Sequence, residues 1–193
     1  MTMNGSMIKQ AGYELNRSME AMGREMNVEE ISNIIKEHSV ATALSAAASG
    51  MIPGAGGTVA FGIACTSTVT MYGRLAKAMG IKLNHGLLRA VASAVVADLA
   101  ATVTASVLAS AALSFIPGLG SMASSVITGM TNYGFVYLAG YIFLKMIASL
   151  GVDKVETLSE SDMKAAAKGV REHMDMKAAM KEVKRSYKEN VRE

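Results

Sequence analysis

The sequence predicts an all-α protein built around a duplicated helical hairpin, and three observations carry that prediction. The first is a repeated phrase: Ile52-Pro53-Gly54-Ala55-Gly56-Gly57 recurs as Ile116-Pro117-Gly118-Leu119-Gly120-Ser121. The phrases hold the chain's only two prolines. A Pro-Gly pair in helix-compatible sequence removes a backbone donor and supplies a flexible joint, so Pro53-Gly54 and Pro117-Gly118 predict sharp turns between apolar helices. The second is that the repeat extends outward, since Leu44-Ser45-Ala46-Ala47-Ala48 aligns without gaps with Leu108-Ala109-Ser110-Ala111-Ala112 about 64 residues later. The third is composition: Ala, Gly, Ser, Thr and Met dominate the apolar stretches and Trp is absent. That blend suits close helix-to-helix approach better than a bulky β-sheet core.

The elements follow in order from spacing. A first helix is predicted from about Met19 to Ile35, with Val28, Ile31, Ile34 and Ile35 at helical intervals and Glu25, Glu29 and Glu30 opposite. The alanine-rich run ending at Gly50 can extend it. A second runs from Pro53 to Gly80 through Val59, Phe61, Ile63, Val69, Met71 and Leu75, and stops where glycine can take the left-handed C-cap conformation. A third starts at Asn84, a good N-cap, and continues through Leu87, Val91, Val95 and Val96 towards Phe115. The fourth spans about Leu119 to Leu150 and is stopped by Gly151. A last amphipathic helix begins near Ser159, which with Asp162 forms a capping box. Three segments result: a polar, amphipathic 1–38, an apolar hairpin domain 39–152, and a charged helix 153–193.

Charge is distributed unevenly. No Asp, Glu, Lys or Arg lies between His38 and Arg74, or between Asp98 and Lys145. Between these blocks sits a basic strip of Arg74, Lys77, Lys82, His85 and Arg89, which reads either as a solvated connector or as cations held near an anionic membrane surface. The charge-free stretch from Leu99 to Leu144 exceeds the about 20 apolar residues that cross a bilayer. Tyr133, Tyr137 and Tyr141 would lie on one face of its second helix, with Lys145 able to snorkel. Against full spans, Ala, Ser, Thr and Gly insert weakly, and Asp98 is costly at a helix centre. Re-entrant or tightly paired hairpins fit better than four independent spans.

Small residues at packing intervals, Gly50, Gly54 and Gly57 in the first repeat and Ser121, Ser125 and Gly129 in the second, predict helix packing and self-association. Asp98 is the one acid inside the apolar helices. It reads as a buried polar anchor bonded to Ser or Thr across a helix interface, or as a cation or proton site.

Several functions are disfavoured by the residues. Cys65 sits in a small-residue apolar run without a base or cation nearby, so it reads as a small hydrophobe. His38, His85 and His173 have no second ligand at metal-binding spacing, and no metal or cofactor is expected. Gly54-Ala55-Gly56-Gly57 follows no strand pattern and reads as a turn rather than a phosphate loop. The basic residues of the C-terminal helix alternate with acids and lack aromatic platforms, which argues against nucleic acid.

Ile-Pro-Gly opening a helix, the helix end Met71-Tyr72-Gly73-Arg74-Leu75-Ala76-Lys77-Ala78-Met79-Gly80, and the second Ile116-Pro117-Gly118-Leu119-Gly120 leading to Asn132-Tyr133-Gly134 and Leu138-Ala139-Gly140-Tyr141 together resemble the YcjF-type GTPase-associated domain of bacteria. The resemblance covers about 40–150. It implies a helical, membrane-associated protein of the bacterial inner (cytoplasmic) membrane that works with a small GTPase, and it supplies no catalytic residues. The chain has no G-x-x-x-x-G-K-[ST] loop of its own, so any nucleotide would belong to a partner. The sequence therefore predicts a non-enzymatic, homo-oligomeric membrane scaffold or remodelling module. A pore or transporter-like protein and a soluble α-helical adaptor are the alternatives.

Overall fold

The computed structural model describes residues 6–49, 56–112 and 120–191, and every regular element among them is helical. The order is α1 (Met7–Glu20), α2 (Val28–Ser49), α3 (Gly56–Ala78), α4 (His85–Ala112), α5 (Gly120–Leu150), a single 3-10 turn (Val155–Thr157), α6 (Glu160–Glu172) and α7 (Met176–Val191). The turn residues Pro53, Gly54, Pro117 and Gly118, with Gly50, lie outside the described residues.

The long helices α2 to α5 form one assembly. Helix α3 packs on α2 and α4, and α5 touches all of the other helices. It is the axis of the fold, as its sequence requires: nearly every side chain from Thr131 to Ile147 is buried, so it has no polar face to give to water. The partners that cover it are amphipathic. Ile8, Ala11, Leu15 and Met19 of α1, Met163 and Ala167 of α6, and Met180 and Val183 of α7 turn inward and leave their charges outside.

Helix starts and stops obey local chemistry. The Ser159 hydroxyl accepts from the Asp162 backbone N–H while the Asp162 side chain accepts from the Ser159 N–H, a reciprocal cap that holds the Asp162 carboxyl below its usual range. Asn84 Oδ1 accepts from the Leu87 N–H at 2.7 Å and starts α4. Gly80 and Gly151 stop α3 and α5 at φ +67° and +85°. The carbonyls that α3 leaves open at Met79 and Gly80 accept from Arg24 Nη2 at 3.2 and 2.8 Å.

Three boundaries differ from expectation. The single helix over 19–35 is replaced by α1 and α2, because Gly23 takes φ +71° and Asn27 then caps α2 by accepting from the Glu30 N–H at 3.1 Å. Helix α2 runs unbroken through residue 38. The charged C-terminal helix is likewise two, since Asp175 caps a new start by accepting from the Ala178 N–H.

Helices α2 and α5 pack tightly against each other. An added Cβ at Gly140 would lie 2.8 to 2.9 Å from three atoms of Ile35, and one at Gly129 would lie 3.1 Å from the Ala43 carbonyl oxygen. These pairs set α2 and α5 antiparallel, which brings Ala43, Ala47 and Gly129 to one end and leaves Ile35 and Gly140 nearer the other.

Candidate functional site

Charge sorts along the length of the four long helices. At the end where α3 meets α4, called the base below, Arg74, Lys77, Lys82 and Arg89 are all exposed. Arg74 Nη1 lies 3.0 Å from Glu37 Oε2, whereas the Lys82 backbone N–H donates to Glu156 Oε1 at 2.8 Å and leaves its ammonium outside. Helical spacing extends both faces away from the base. Thr66 and Thr70 continue the face of Arg74 on α3, and Ser93, Ala97, Ala101 and Ala105 continue that of Arg89 on α4, all exposed. At the far end stand three exposed large apolar side chains, Leu44 at 56%, Phe61 at 36% and Leu108 at 50%. Tyr13 and Met22 are exposed too, but on and after α1 at the charged base.

Two stretches, His85–Leu108 and Ser125–Leu150, are long and apolar enough to cross a membrane, with mean hydropathies of 1.8 and 1.5. They differ in burial. The first is 39% buried and the second 72%, so α5 serves as the core of this fold while α4 shows much of its apolar length. Of the tyrosines expected at a membrane interface, Tyr133 and Tyr137 instead form the seam for α7, and Tyr141 lies beside α6. Tyr133 Oη lies 2.6 Å from Ser186 Oγ, and Tyr137 Oη donates to Glu182 Oε1 at 3.2 Å. Burial pushes both phenols above their usual range. Lys145 pairs with Glu14 of α1 rather than reaching past the helix end.

Asp98 is a correction. Its side chain is 42% exposed, not buried, and faces α6, where Oδ2 lies 3.0 Å from Arg171 Nε. One turn further along α4, Thr102 Oγ1 accepts from the same guanidinium, at 3.2 Å from Arg171 Nη2. Asp98 thus helps hold α6 on α4. Of the small residues predicted to serve helix packing and self-association, Ser125 and Gly129 are buried within this chain, and Gly129 packs against α2 and the Tyr187 hydroxyl. Gly57 and Ser121 lie in the first turns of α3 and α5.

His38 is half-buried between α2 and α3. Its Nδ1 is 3.3 Å from Ser67 Oγ and its Nε2 3.3 Å from Arg74 Nη1. Arg74 can only donate, so Nε2 must accept and Nδ1 must carry the proton. Ser67 therefore faces a donor, not a base, and this Ser-His pair is not a nucleophile dyad. Burial first, then the Arg74 charge, lower the His38 pKa, with Glu37 opposing. A histidine held neutral adds stability that is present above the unfolded pKa of about 6.5 and is lost as pH falls through the lowered folded value. Thermal unfolding should accordingly show Tm falling between about pH 7 and about pH 5, and His38→Gln should flatten that fall. An unchanged slope in the variant would place the titrating group elsewhere.

Cys65 is half-buried and burial pushes its thiol up, away from thiolate chemistry. Among the described residues no group of three or more His, Cys, Asp or Glu is placed to hold a metal. Arg24, Glu156 and Gly140 are the contacts that sequence reasoning missed. For Gly140 a signal existed, a small residue at helical spacing from Tyr133 and Tyr137. No protein-family model, curated protein or solved structure matches this chain.

Proposed function

We propose that the protein is a membrane-associated scaffold that seats the charge-free end of its α2–α5 assembly in one leaflet of a bilayer and keeps its charged base in water. The observation that carries this reading is the sorting of charge: Leu44, Phe61 and Leu108 exposed at one end, and Arg74, Lys77, Lys82 and Arg89 at the other. Exposed apolar residues grouped on a surface favour a lipid or protein contact over water. Depth follows from helix length. From Gly120 to Gly129, where Tyr187 of α7 covers α5, the rise is about 14 Å, close to half of a hydrocarbon core about 30 Å thick. Complete crossing by α4 would carry Asp98 and Arg171 towards hydrocarbon at about 2.5–3.5 kcal/mol each. Entry into one leaflet expands that leaflet alone, the geometry a remodelling module needs.

On the resemblance to YcjF-type domains we extend the reading to the inner membrane of a bacterium, to self-association and to a separate small GTPase as partner. A soluble adaptor is the second reading, favoured by the 72% burial of the apolar α5 stretch. Flotation of full-length protein with phosphatidylglycerol vesicles, followed by carbonate washing, tests the proposal. The scaffold floats and stays bound; protein that remains in the aqueous fraction, monodisperse without detergent, is the adaptor.

A further inference from the structure

The outer surface between α2 and α3 carries a groove of about 590 Å³, within the about 300–1,000 Å³ of small-ligand sites. Its wall is hydroxyl-rich, with Thr42, Ser45, Thr66 and Thr70 along it and Gly62 opening it, since an added Cβ there meets nothing within 4 Å. One hydroxyl is unsatisfied. Thr42 is 2% exposed and its Oγ1 has no hydrogen-bond partner in the protein, a state that buried polar atoms seldom keep. The ends of the groove differ in chemistry. One turn beyond Thr70 on the same face is Arg74, which pairs with Glu37, followed by Lys77. Beyond Gly62 lies the exposed ring of Phe61, with Leu44 exposed across from it on α2.

We propose that this groove binds one molecule of an anionic phospholipid, its phosphate at Arg74, its glycerol and ester oxygens along the hydroxyls and an acyl chain towards Phe61. A cation, then acceptors and donors, then apolar surface is the order in which such a lipid presents its complementary groups. Arg74 contacts Glu37 and His38 through Nη1, and its Nη2 and Nε are further donors in the planar fork that suits a phosphate. The inference rests on the membrane reading and deepens it by naming the lipid, whose headgroup sits at the base and whose acyl chain runs towards the inserted end.

The test is calorimetric titration of the folded full-length protein with dihexanoyl phosphatidylglycerol below its micelle concentration, alongside vesicle flotation. The parent should bind saturably at one lipid per chain. Gly62→Leu, which puts a bulky side chain where an added Cβ meets nothing within 4 Å, should weaken binding by about tenfold or more, and Arg74→Gln should remove most of the preference over dihexanoyl phosphatidylcholine. Thr66→Leu at an exposed position provides a second filling variant if Gly62→Leu lowers Tm. Absence of saturable binding by the parent, unchanged binding after either filling substitution, or equal displacement by inorganic phosphate whatever the acyl length would overturn the groove. Flotation separates the two ideas: protein that floats without binding the monomeric lipid refutes the groove alone, and protein that binds the monomer without floating refutes insertion alone.

Discussion

Gly140→Val is expected to destabilise the protein by about 3 kcal/mol. The cause is local. A Cβ at this position would sit 2.8 Å from Ile35 Cγ1 and Cγ2, atoms fixed to a branched carbon in a side chain that is 0% exposed. Ile35 cannot turn away, so α2 and α5 must separate, and the contact that organises the fold is lost. Gly140→Ala meets the same clash, but offsets it by up to about 1 kcal/mol of helix propensity. A control separates packing from propensity: Gly169→Ala in α6, where nothing lies within 4 Å, should gain a fraction of that 1 kcal/mol. Urea unfolding measures both. For a chain of this size Gly140→Val should lower Tm by roughly 6–12 °C, and pairing it with Ile35→Ala should recover part of the loss relative to additivity. Equal stability of Gly140→Val and parent would mean that α2 and α5 do not approach at this point.

Replacing Leu44, Phe61 and Leu108 together with Asp should abolish flotation while leaving the protein folded. Leu44 and Leu108 are at least 50% exposed, so substitution there costs little in water, roughly 0.5 kcal/mol apiece, whereas the Phe61 ring also packs edge-on against the buried Phe135 at 6.5 Å and its loss costs about 1.5 kcal/mol. In lipid the same change exchanges a favourable side chain for one that costs about 2.5–3.5 kcal/mol at depth, and even a fraction of that summed over three sites weakens partitioning by more than about a hundredfold. Circular dichroism establishes that the helices persist, and flotation gives the loss. Vesicle binding equal to that of the parent would remove the apolar end from the account.

How much of this could be read from the sequence depended on whether the signal was local. Asn84, Gly80, Gly151 and the Ser159–Asp162 box lie at helix ends whose chemistry is carried by a few adjacent residues, and they mark those ends in the structure. Gly23 and Asn27 carried the same kind of signal, yet the regular spacing of Val28, Ile31 and Ile35 drew the helix back across them. Burial was less accessible. An uncharged helix reads alike whether lipid or protein surrounds it, so only the docking of α1, α6 and α7 distinguishes α5 as a core. The tyrosine row had the period of an interface belt, and the residues that explain it, Glu182 and Ser186, lie about 50 positions away. Asp98 drew attention because it was alone in its helix, while its partner Arg171 stood in a segment crowded with other cations.

The central claim, that the charge-free end enters one leaflet, is tested most directly by depth measurement. The chain has no Trp, so a single Trp reports one position without background. Trp at Leu108, at Phe61 and at the base position Tyr13 should be compared in phosphatidylglycerol vesicles carrying nitroxides at shallow or deep acyl positions. The account predicts quenching of Leu108→Trp and Phe61→Trp by acyl-chain nitroxides in the leaflet the protein approaches, none by nitroxides confined to the opposite leaflet, and Tyr13→Trp remaining accessible to aqueous iodide. Aqueous quenching of all three, or acyl-chain quenching of Tyr13→Trp equal to that of Leu108→Trp, would contradict it.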